Sequence, residues 1–186
     1  MDDRHNPYQD LAAPGLTVCI EWQWRVAALR HLRREGEFAR ACERLFEVPL
    51  PAAGKAQRIP GAPAGHEAHL LWRNPTSTLA LLSDAAAFRA LLDALPPAAD
   101  GCCVDLSGGW WVLRLRGARV RDLLVRIGSE ASFPSAGEAR ISRIAETTVI
   151  SVAAESGDVL LLVDRAYAEH LLNWIRVTIG DFVPGT

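Results

Sequence analysis

The chain has 186 residues, of which 49% are hydrophobic, so it can bury a core without metals or disulfides. Its formal net charge is −2, with charges of both signs dispersed, which argues against nucleic acid and anionic lipid as partners. The N-terminus lacks the order of a secretory signal, and no apolar stretch approaches the ~20 residues that span a bilayer. We therefore expect a cytoplasmic protein with no nucleic-acid or membrane partner.

The first structural signal comes at Leu16. Residues 1–14 show no periodicity and contain Pro7 and Pro14, so we expect a flexible N-terminal arm, followed by a single domain over 15–186. From Leu16 to Trp24 apolar and polar residues alternate, which predicts a half-buried strand. This strand is expected to continue towards Leu32, although residues 26–29 fit a helix equally well.

Four short helices are predicted because the same apolar spacing, i, i+3, i+4, i+7, occurs four times. Ser83 or Asp84 is expected to cap the second helix, and Asp164 the fourth, which runs to about Ile179. Helices with one apolar side must cover a sheet or each other, so the pattern favours an α+β layer arrangement. The four stripes are Phe38, Ala41, Cys42 and Leu45; Phe88, Leu91, Leu92 and Leu95; Val120, Leu123, Leu124 and Ile127; and Ala168, Leu171, Leu172 and Ile175.

The segments between the helices predict short strands. Pro49–Gly65 is rich in Pro, Ala and Gly and is expected to be a surface loop. Residues 102–106 and 110–115 are predicted to pair as a hairpin through Ser107-Gly108-Gly109. Further strands are predicted at 69–73 and 79–82, and a three-stranded meander at 140–144, 147–153 and 159–163.

The two halves of the chain repeat this theme of strand, helix and paired strands. We therefore predict two pseudo-repeated α+β units, ferredoxin-like in arrangement, over about 15–97 and 98–180.

The sequence contains no recognisable catalytic set. Phosphate-binding glycine motifs and the G-x-S-x-G elbow are absent. His66 and His69 lie three apart at a strand entry, where they point to opposite faces, so a metal site is disfavoured. Asp105 and Ser107 lack a neighbouring histidine and are better explained as a hydrogen-bonded strand end. The four cysteines have no C-x-x-C spacing and are predicted to be reduced and buried.

Two groups of residues are candidates for binding. Asp164 and Arg165 lie at a strand-to-helix junction, where backbone donors and an arginine can together hold a carboxylate, although capping alone accounts for Asp164. The second group consists of tryptophans, which are common interface anchors but equally common core residues. The tryptophan candidates are Trp22, Trp24, Trp110 and Trp111.

Three stretches of the second half carry a family resemblance through their order and spacing. They are Val104-Asp105-Leu106-Ser107, Gly117 to Leu124, which ends in Arg121-Asp122-Leu123-Leu124, and Val163-Asp164-Arg165-Ala166 before the last helix. Together they resemble the gamma subunit of heterotetrameric sarcosine oxidase, over most of residues 16–178 and most clearly from Gly101 onward.

The resemblance implies a fold similar to the folate-binding domain of glycine-cleavage aminomethyltransferase. It implies a noncatalytic structural subunit without cofactors of its own, with alpha, beta and delta subunits as partners. In such a complex the partners carry FAD, FMN, NAD, zinc and folate, and sarcosine is oxidatively demethylated to glycine with tetrahydrofolate. The alternatives are a free-standing folate or aminomethyl-transfer module and a small carboxylate-binding module that uses Asp164 and Arg165.

Overall fold

The computed structural model describes residues 9–154 and 156–182. Within these residues the chain forms strands and helices in the following order. The strands are β1 (Leu11–Ala13), β2 (Leu16–Ile20), β3 (Arg25–His31), β4 (Ala56–Arg58), β5 (Ala68–Asn74), β6 (Ser77–Leu82), β7 (Gly101–Asp105), β8 (Trp110–Arg116), β9 (Ala139–Ile144), β10 (Thr147–Ala153) and β11 (Val159–Asp164). The α-helices are α1 (Glu37–Phe46), α2 (Ala85–Ala94), α3 (Val120–Ile127) and α4 (Arg165–Gly180). None of the helices in these ranges is long and apolar enough to cross a membrane.

The strands form two antiparallel sheets. The six-stranded sheet has the order β1-β2-β8-β11-β10-β9, and the five-stranded sheet has the order β4-β5-β6-β3-β7. The predicted meander is confirmed, because β10 pairs with β9 on one side and with β11 on the other. The predicted loop at 49–65 contains the short strand β4, which pairs with β5 and extends the five-stranded sheet at its edge.

The fold is a stack of four layers, with helices outside and the two sheets facing each other. Side chains alternate along each strand, so each sheet has two apolar faces. On β8, Leu113 and Leu115 pack with α3 and α4, while Val112 lies in the core between the sheets. On β3, Leu29 packs with α1 and α2, while Ala28 lies in the same inter-sheet core. Mixed α+β architecture follows directly from these two-faced strands.

The four predicted helices are confirmed. The stripes of α3 and α4 are buried as predicted, and Asp84 caps α2 by accepting from the amides of Ala86 and Ala87 at 2.8 and 3.4 Å. The stripe of α1 needs a correction, because Phe46 is buried and Leu45 is 42% exposed. The buried side of α1 therefore includes Phe46 in place of Leu45.

The predicted hairpin at residues 102–115 is wrong. β7 pairs with β3 in the five-stranded sheet, whereas β8 pairs with β2 and β11 in the six-stranded sheet. Ser107–Gly109 forms one turn of 3₁₀ helix where the chain crosses between the sheets. Two side chains satisfy the backbone there: Asp105 accepts from the Ser107 amide at 2.8 Å, and the Ser107 hydroxyl accepts from the Val26 amide at 3.1 Å.

The predicted strand at 16–24 is also interrupted by a crossing between the sheets. β2 ends at Ile20 in the six-stranded sheet, and β3 begins at Arg25 in the five-stranded one. Residues 26–29 are therefore strand, with no helix. The sheets exchange strands across the predicted boundary at 97/98, because β2 joins the sheet of the second half and β7 joins that of the first.

The predicted N-terminal arm is partly ordered as a strand. β1 pairs with β2 through Leu11–Val18 and Ala13–Leu16, which gives the six-stranded sheet its edge. Residues 1–8 of the predicted arm lie outside the described residues.

Candidate functional site

Asp164 and Arg165 stand at the junction that the sequence predicts. The Asp164 side chain caps α4, with Oδ1 accepting from the Ala166 amide at 2.9 Å. Both residues are exposed, and among the described residues Arg165 makes no ion pair. The carboxylate of Asp164 is thus committed to capping, and a carboxylate receptor at this pair stays a prediction.

The four candidate tryptophans separate into core and surface. Trp24 and Trp111 are 4% and 9% exposed, which corrects their prediction as interface residues. Trp24 lies between the sheets and donates from Nε1 to Glu21 at 2.6 Å. Trp22 is 44% exposed and meets Trp111 edge to face, with ring centroids 5.0 Å apart. Trp110 is half-buried, with the Arg73 guanidinium 5.7 Å from its ring centroid.

Besides the exposed Trp22, the structure has an apolar surface on the outside of α4 that was not predicted from the sequence. We call it the α4 outer face and define it by Tyr167, Trp174 and Val177, which are 56%, 47% and 72% exposed. They are spaced by seven and three residues and so share one side of the helix. The sequence does contain a signal for this surface, because Tyr167, Trp174 and Val177 are apolar but fall outside the core stripe that begins at Ala168.

An arginine with three carboxylate partners forms the most highly charged buried cluster described. Arg114 shares its face of β8 with Val112, so its side chain enters the layer between the sheets at one end. It is 5% exposed. Its guanidinium donates to Glu21 at 2.6 Å, to Glu67 at 3.0 Å and to Asp158 at 3.4 Å.

This cluster connects the two sheets. Glu67 immediately precedes β5 of the five-stranded sheet, while Arg114 belongs to the six-stranded sheet. The cluster lines an open cleft of about 590 Å³ at the same end of the layer. Because each carboxylate is bound by an arginine, the arrangement is suited to holding the sheets together.

Hydrogen bonds and ion pairs keep two acids of this cluster, Glu67 and Asp158, ionised. A hydrogen bond from His69 and the charge of Arg114 hold the pKa of Glu67 below its ordinary value, against the effect of burial. Burial raises the pKa of Asp158, but hydrogen bonds from Ser156, Arg116 and Arg114 outweigh it and leave that pKa lowered. Ionised acids that already neutralise an arginine are poor general bases.

Serine, histidine and glutamate meet beside the cluster without forming a catalytic triad. Ser83 Oγ lies 3.4 Å from Nδ1 of His66, whereas Glu67 lies 3.3 Å from Nε2 of His69. A triad needs one histidine that touches both the nucleophile and the acid. Here two histidines divide those contacts, and the Ser83 hydroxyl donates to the Glu67 carbonyl at 3.2 Å.

The described residues contain no arranged metal-binding cluster, and burial makes the thiols of Cys42 and Cys103 unreactive. Over 9–154 and 156–182, no cluster of three or more His, Cys, Asp or Glu side chains is arranged to hold a metal ion. The pKa of Cys42 rises to about 12, mainly through burial, and burial also raises the pKa of Cys103 to about 11. These thiols stay protonated and are weak nucleophiles.

Comparison with known proteins identifies relatives of the whole fold. The family model for the sarcosine oxidase gamma subunit family matches residues 37–180. No curated protein matches the sequence.

Two solved structures share the fold. A chain of heterotetrameric sarcosine oxidase from Corynebacterium sp. U-96, in complex with pyrrole 2-carboxylate, is 21% identical with a TM-score of 0.78. That match covers 95% of this chain and 90% of the other. The glycine cleavage system aminomethyltransferase T from Bartonella henselae is 12% identical with a TM-score of 0.61, and the match covers 87% of this chain but 45% of that one.

Proposed function

Because the chain belongs to the sarcosine oxidase gamma subunit family, we propose that it is a structural, noncatalytic subunit of a sarcosine oxidase type complex. Its partners would be alpha, beta and delta subunits, which would carry FAD, FMN, NAD, zinc and folate. Those subunits would demethylate sarcosine to glycine with tetrahydrofolate, and this chain would contribute binding surface to the assembly.

The observation that carries this proposal is the extent of the fold match. The likeness to a chain of a heterotetrameric oxidase spans 95% of this chain and 90% of that chain. Because a shared fold alone does not fix function, the proposal rests on this likeness together with the family match over residues 37–180.

The cluster of Arg114 and its three carboxylate partners supports a structural role for the end of the inter-sheet layer where it lies. Glu21, Glu67 and Asp158 all accept hydrogen bonds from Arg114. Acid–base catalysis relies on groups whose pKa values are pushed apart. Here the pKa values of Glu67 and Asp158 are both lowered.

The α4 outer face is the surface that we propose for docking a partner subunit. Aromatic residues are enriched in the centres of protein interfaces and contribute much of their binding energy. Two aromatic side chains, Tyr167 and Trp174, and the aliphatic Val177 are exposed along about three turns of one helix. In the proposed complex, a partner subunit would bury this face.

The test is co-expression of this chain with the neighbouring oxidase subunits, followed by affinity capture and size-exclusion chromatography. We expect the unaltered chain to elute with flavin-bearing partners and Val177→Asp to be released from them, because an acid placed in an apolar interface is costly to desolvate. The proposal fails if the unaltered chain elutes alone.

Leu32→Asp is the matched control. Leu32 is 73% exposed, almost equal to Val177 at 72%, and it directly follows β3 of the five-stranded sheet, whereas α4 packs on the six-stranded sheet. This variant introduces the same charge in place of an equally exposed apolar side chain. It should stay in the complex. If both variants dissociate equally, the α4 outer face is not the docking surface.

A further inference from the structure

His31 is a buried histidine whose ring nitrogens have no hydrogen-bond partner among the described residues. It ends β3 on the same face as Leu29, so its side chain points into the layer between the five-stranded sheet and helices α1 and α2. It is only 3% exposed. Although His31 borders a cleft of about 570 Å³ at the end of the sheet, both ring nitrogens are shielded from solvent.

The elements packed around His31 offer little that would stabilise a charged imidazole. The buried sides of α1 and α2 are apolar, and Cys42 is the one titratable group among their buried residues, with a thiol that stays protonated. On the neighbouring strand, His31 pairs with Gly101 of β7. Its own amide donates to the Thr76 carbonyl at 3.0 Å. Neither of these neighbours carries a charge.

Two charged groups act on the His31 ring, and they act in opposite directions. Burial and then the charge of Arg34 lower the pKa of His31, and they outweigh the carboxylate of Asp100, which raises it. Arg34 is fixed in place, because its guanidinium donates to the carbonyl groups of Leu50 and Pro51. The imidazole is therefore neutral at neutral pH.

Asp100, the carboxylate that acts on His31, is already bound to the start of α1. Its two oxygens accept from the Phe38 amide at 3.1 and 3.4 Å. Gly36, at the N-cap position, has no side chain that could make this contact, and a Cβ there would collide with the Asp100 carboxylate. Helix α1 therefore depends on a residue 62 positions away for its N-terminal cap.

We propose that His31 is an acid-sensitive switch that controls the start of α1. When the ring takes up a proton, the imidazolium must either draw Asp100 away from the Phe38 amide or reach water by displacing α1 from the sheet. In both cases α1 loses its cap. The switch acts within this chain and does not depend on the proposed partner subunits, so the two proposals fail separately.

The direction of the pH dependence follows from the lowered pKa of His31. In an opened or unfolded state the ring takes up its proton near its ordinary pKa of about 6.5, whereas in the closed state it stays neutral to lower pH. The closed state is therefore most favoured above about pH 6.5 and loses stability as the pH falls toward the pKa of the closed state. One extra proton bound by the open state raises the opening equilibrium constant by up to ~10-fold per pH unit.

The first test is urea denaturation of the full chain and of His31→Gln at about pH 7.5 and about pH 5.5. Other groups titrate in this range, so the measured quantity is the difference between the two proteins. We expect the unfolding equilibrium constant of the unaltered chain to rise about 10-fold more than that of His31→Gln, because glutamine takes up no proton. His170→Gln is the matched control, since His170 is exposed and lies 3.0 Å from the Ala145 carbonyl. It should keep the pH dependence of the unaltered chain.

Amide hydrogen exchange of the unaltered chain, followed by NMR, keeps the proposal testable even where His31→Gln does not fold. After correction for the intrinsic effect of pH on exchange, the Phe38 amide should lose about 10-fold in protection over the same pH range. The Ala86 amide has the same position in α2 and is capped by Asp84 at 2.8 Å, so it should keep its protection. The proposal is overturned by an equal pH dependence in His31→Gln and the unaltered chain, or by a Phe38 amide that changes no more than that of Ala86.

Discussion

Arg114 concentrates the buried charge of the molecule at one residue. Its side chain is 6% exposed, and its partners Glu21 and Asp158 are 12% and 13% exposed, so water screens these ion pairs poorly. A buried cation of this kind stabilises the fold chiefly through its carboxylate partners. If the cation is removed, several desolvated carboxylates are left without a compensating charge.

Arg114→Met should lower the free energy of unfolding by about 3 kcal/mol, since it removes one side of a buried ion pair. Arg116→Met is the matched control, because Arg116 contacts the same Glu21 and Asp158 but is 51% exposed. Its loss should stay below about 1 kcal/mol. Urea denaturation followed by circular dichroism measures both values, and equal losses would contradict a special role for Arg114.

At the level of elements, α4 begins where a strand ends. β11 runs straight into the helix, and Asp164 is the last residue of one and the cap of the other. A single side chain therefore fixes both the end of the sheet and the direction of the helix. The α4 outer face is displayed from this junction.

Asp164→Ala should cost about 1 kcal/mol of stability, because the Ala166 amide loses its acceptor. Asp164→Asn should cost only a few tenths, since asparagine caps as well as aspartate. Thermal or urea unfolding of both variants would check this. A loss in Asp164→Asn as large as that in Asp164→Ala would mean that the charge of Asp164 at the helix N-terminus, and not its hydrogen bond, stabilises α4.

The sequence predicts the helices far better than the strand partners. A helical stripe such as Leu123 and Leu124 depends on residues within the same element, and its burial follows from local spacing. Strand pairing depends on distant partners. Ser107-Gly108-Gly109 has the composition of a hairpin turn, but Asp105 and Ser107 bind the crossing backbone instead, and only the remote Val26 shows this.

The candidate binding residues likewise depend on strand partners that the local sequence pattern does not reveal. Trp22 and Trp24 are two positions apart, which predicts one shared face along an uninterrupted strand. The crossing between β2 and β3 separates them, so Trp22 is exposed and Trp24 is buried between the sheets. The cleft lined by His31, Arg73 and Ser77 could not be predicted, since these residues come from three different strands.

For the molecule as a whole, we expect the exchange of strands to join the two halves into one folding unit. β2 depends on β8 for its inner neighbour, and β7 depends on β3. Each half therefore leaves one sheet incomplete when it stands alone, with unpaired backbone groups at the missing ladder. The inter-sheet core, to which both sheets contribute, would be exposed as well.

Fragments 1–97 and 98–186 should accordingly not unfold cooperatively when each is prepared alone, whereas mixing them should restore part of the native signal. Near-ultraviolet circular dichroism of the tryptophans and urea denaturation measure this. If either fragment alone shows a cooperative transition like that of the intact chain, the exchanged strands do not join the halves energetically.

The exchange also sets the order of events while the chain is being synthesised. Glu21 follows β2 and meets Arg114 of β8, which lies 93 positions later in the sequence. β2 must therefore leave the ribosome and wait, with its apolar side uncovered, until more than half of the chain has followed it. Slow translation or a chaperone that shields this early segment should raise the yield of native protein, and both would act long before any other subunit is met.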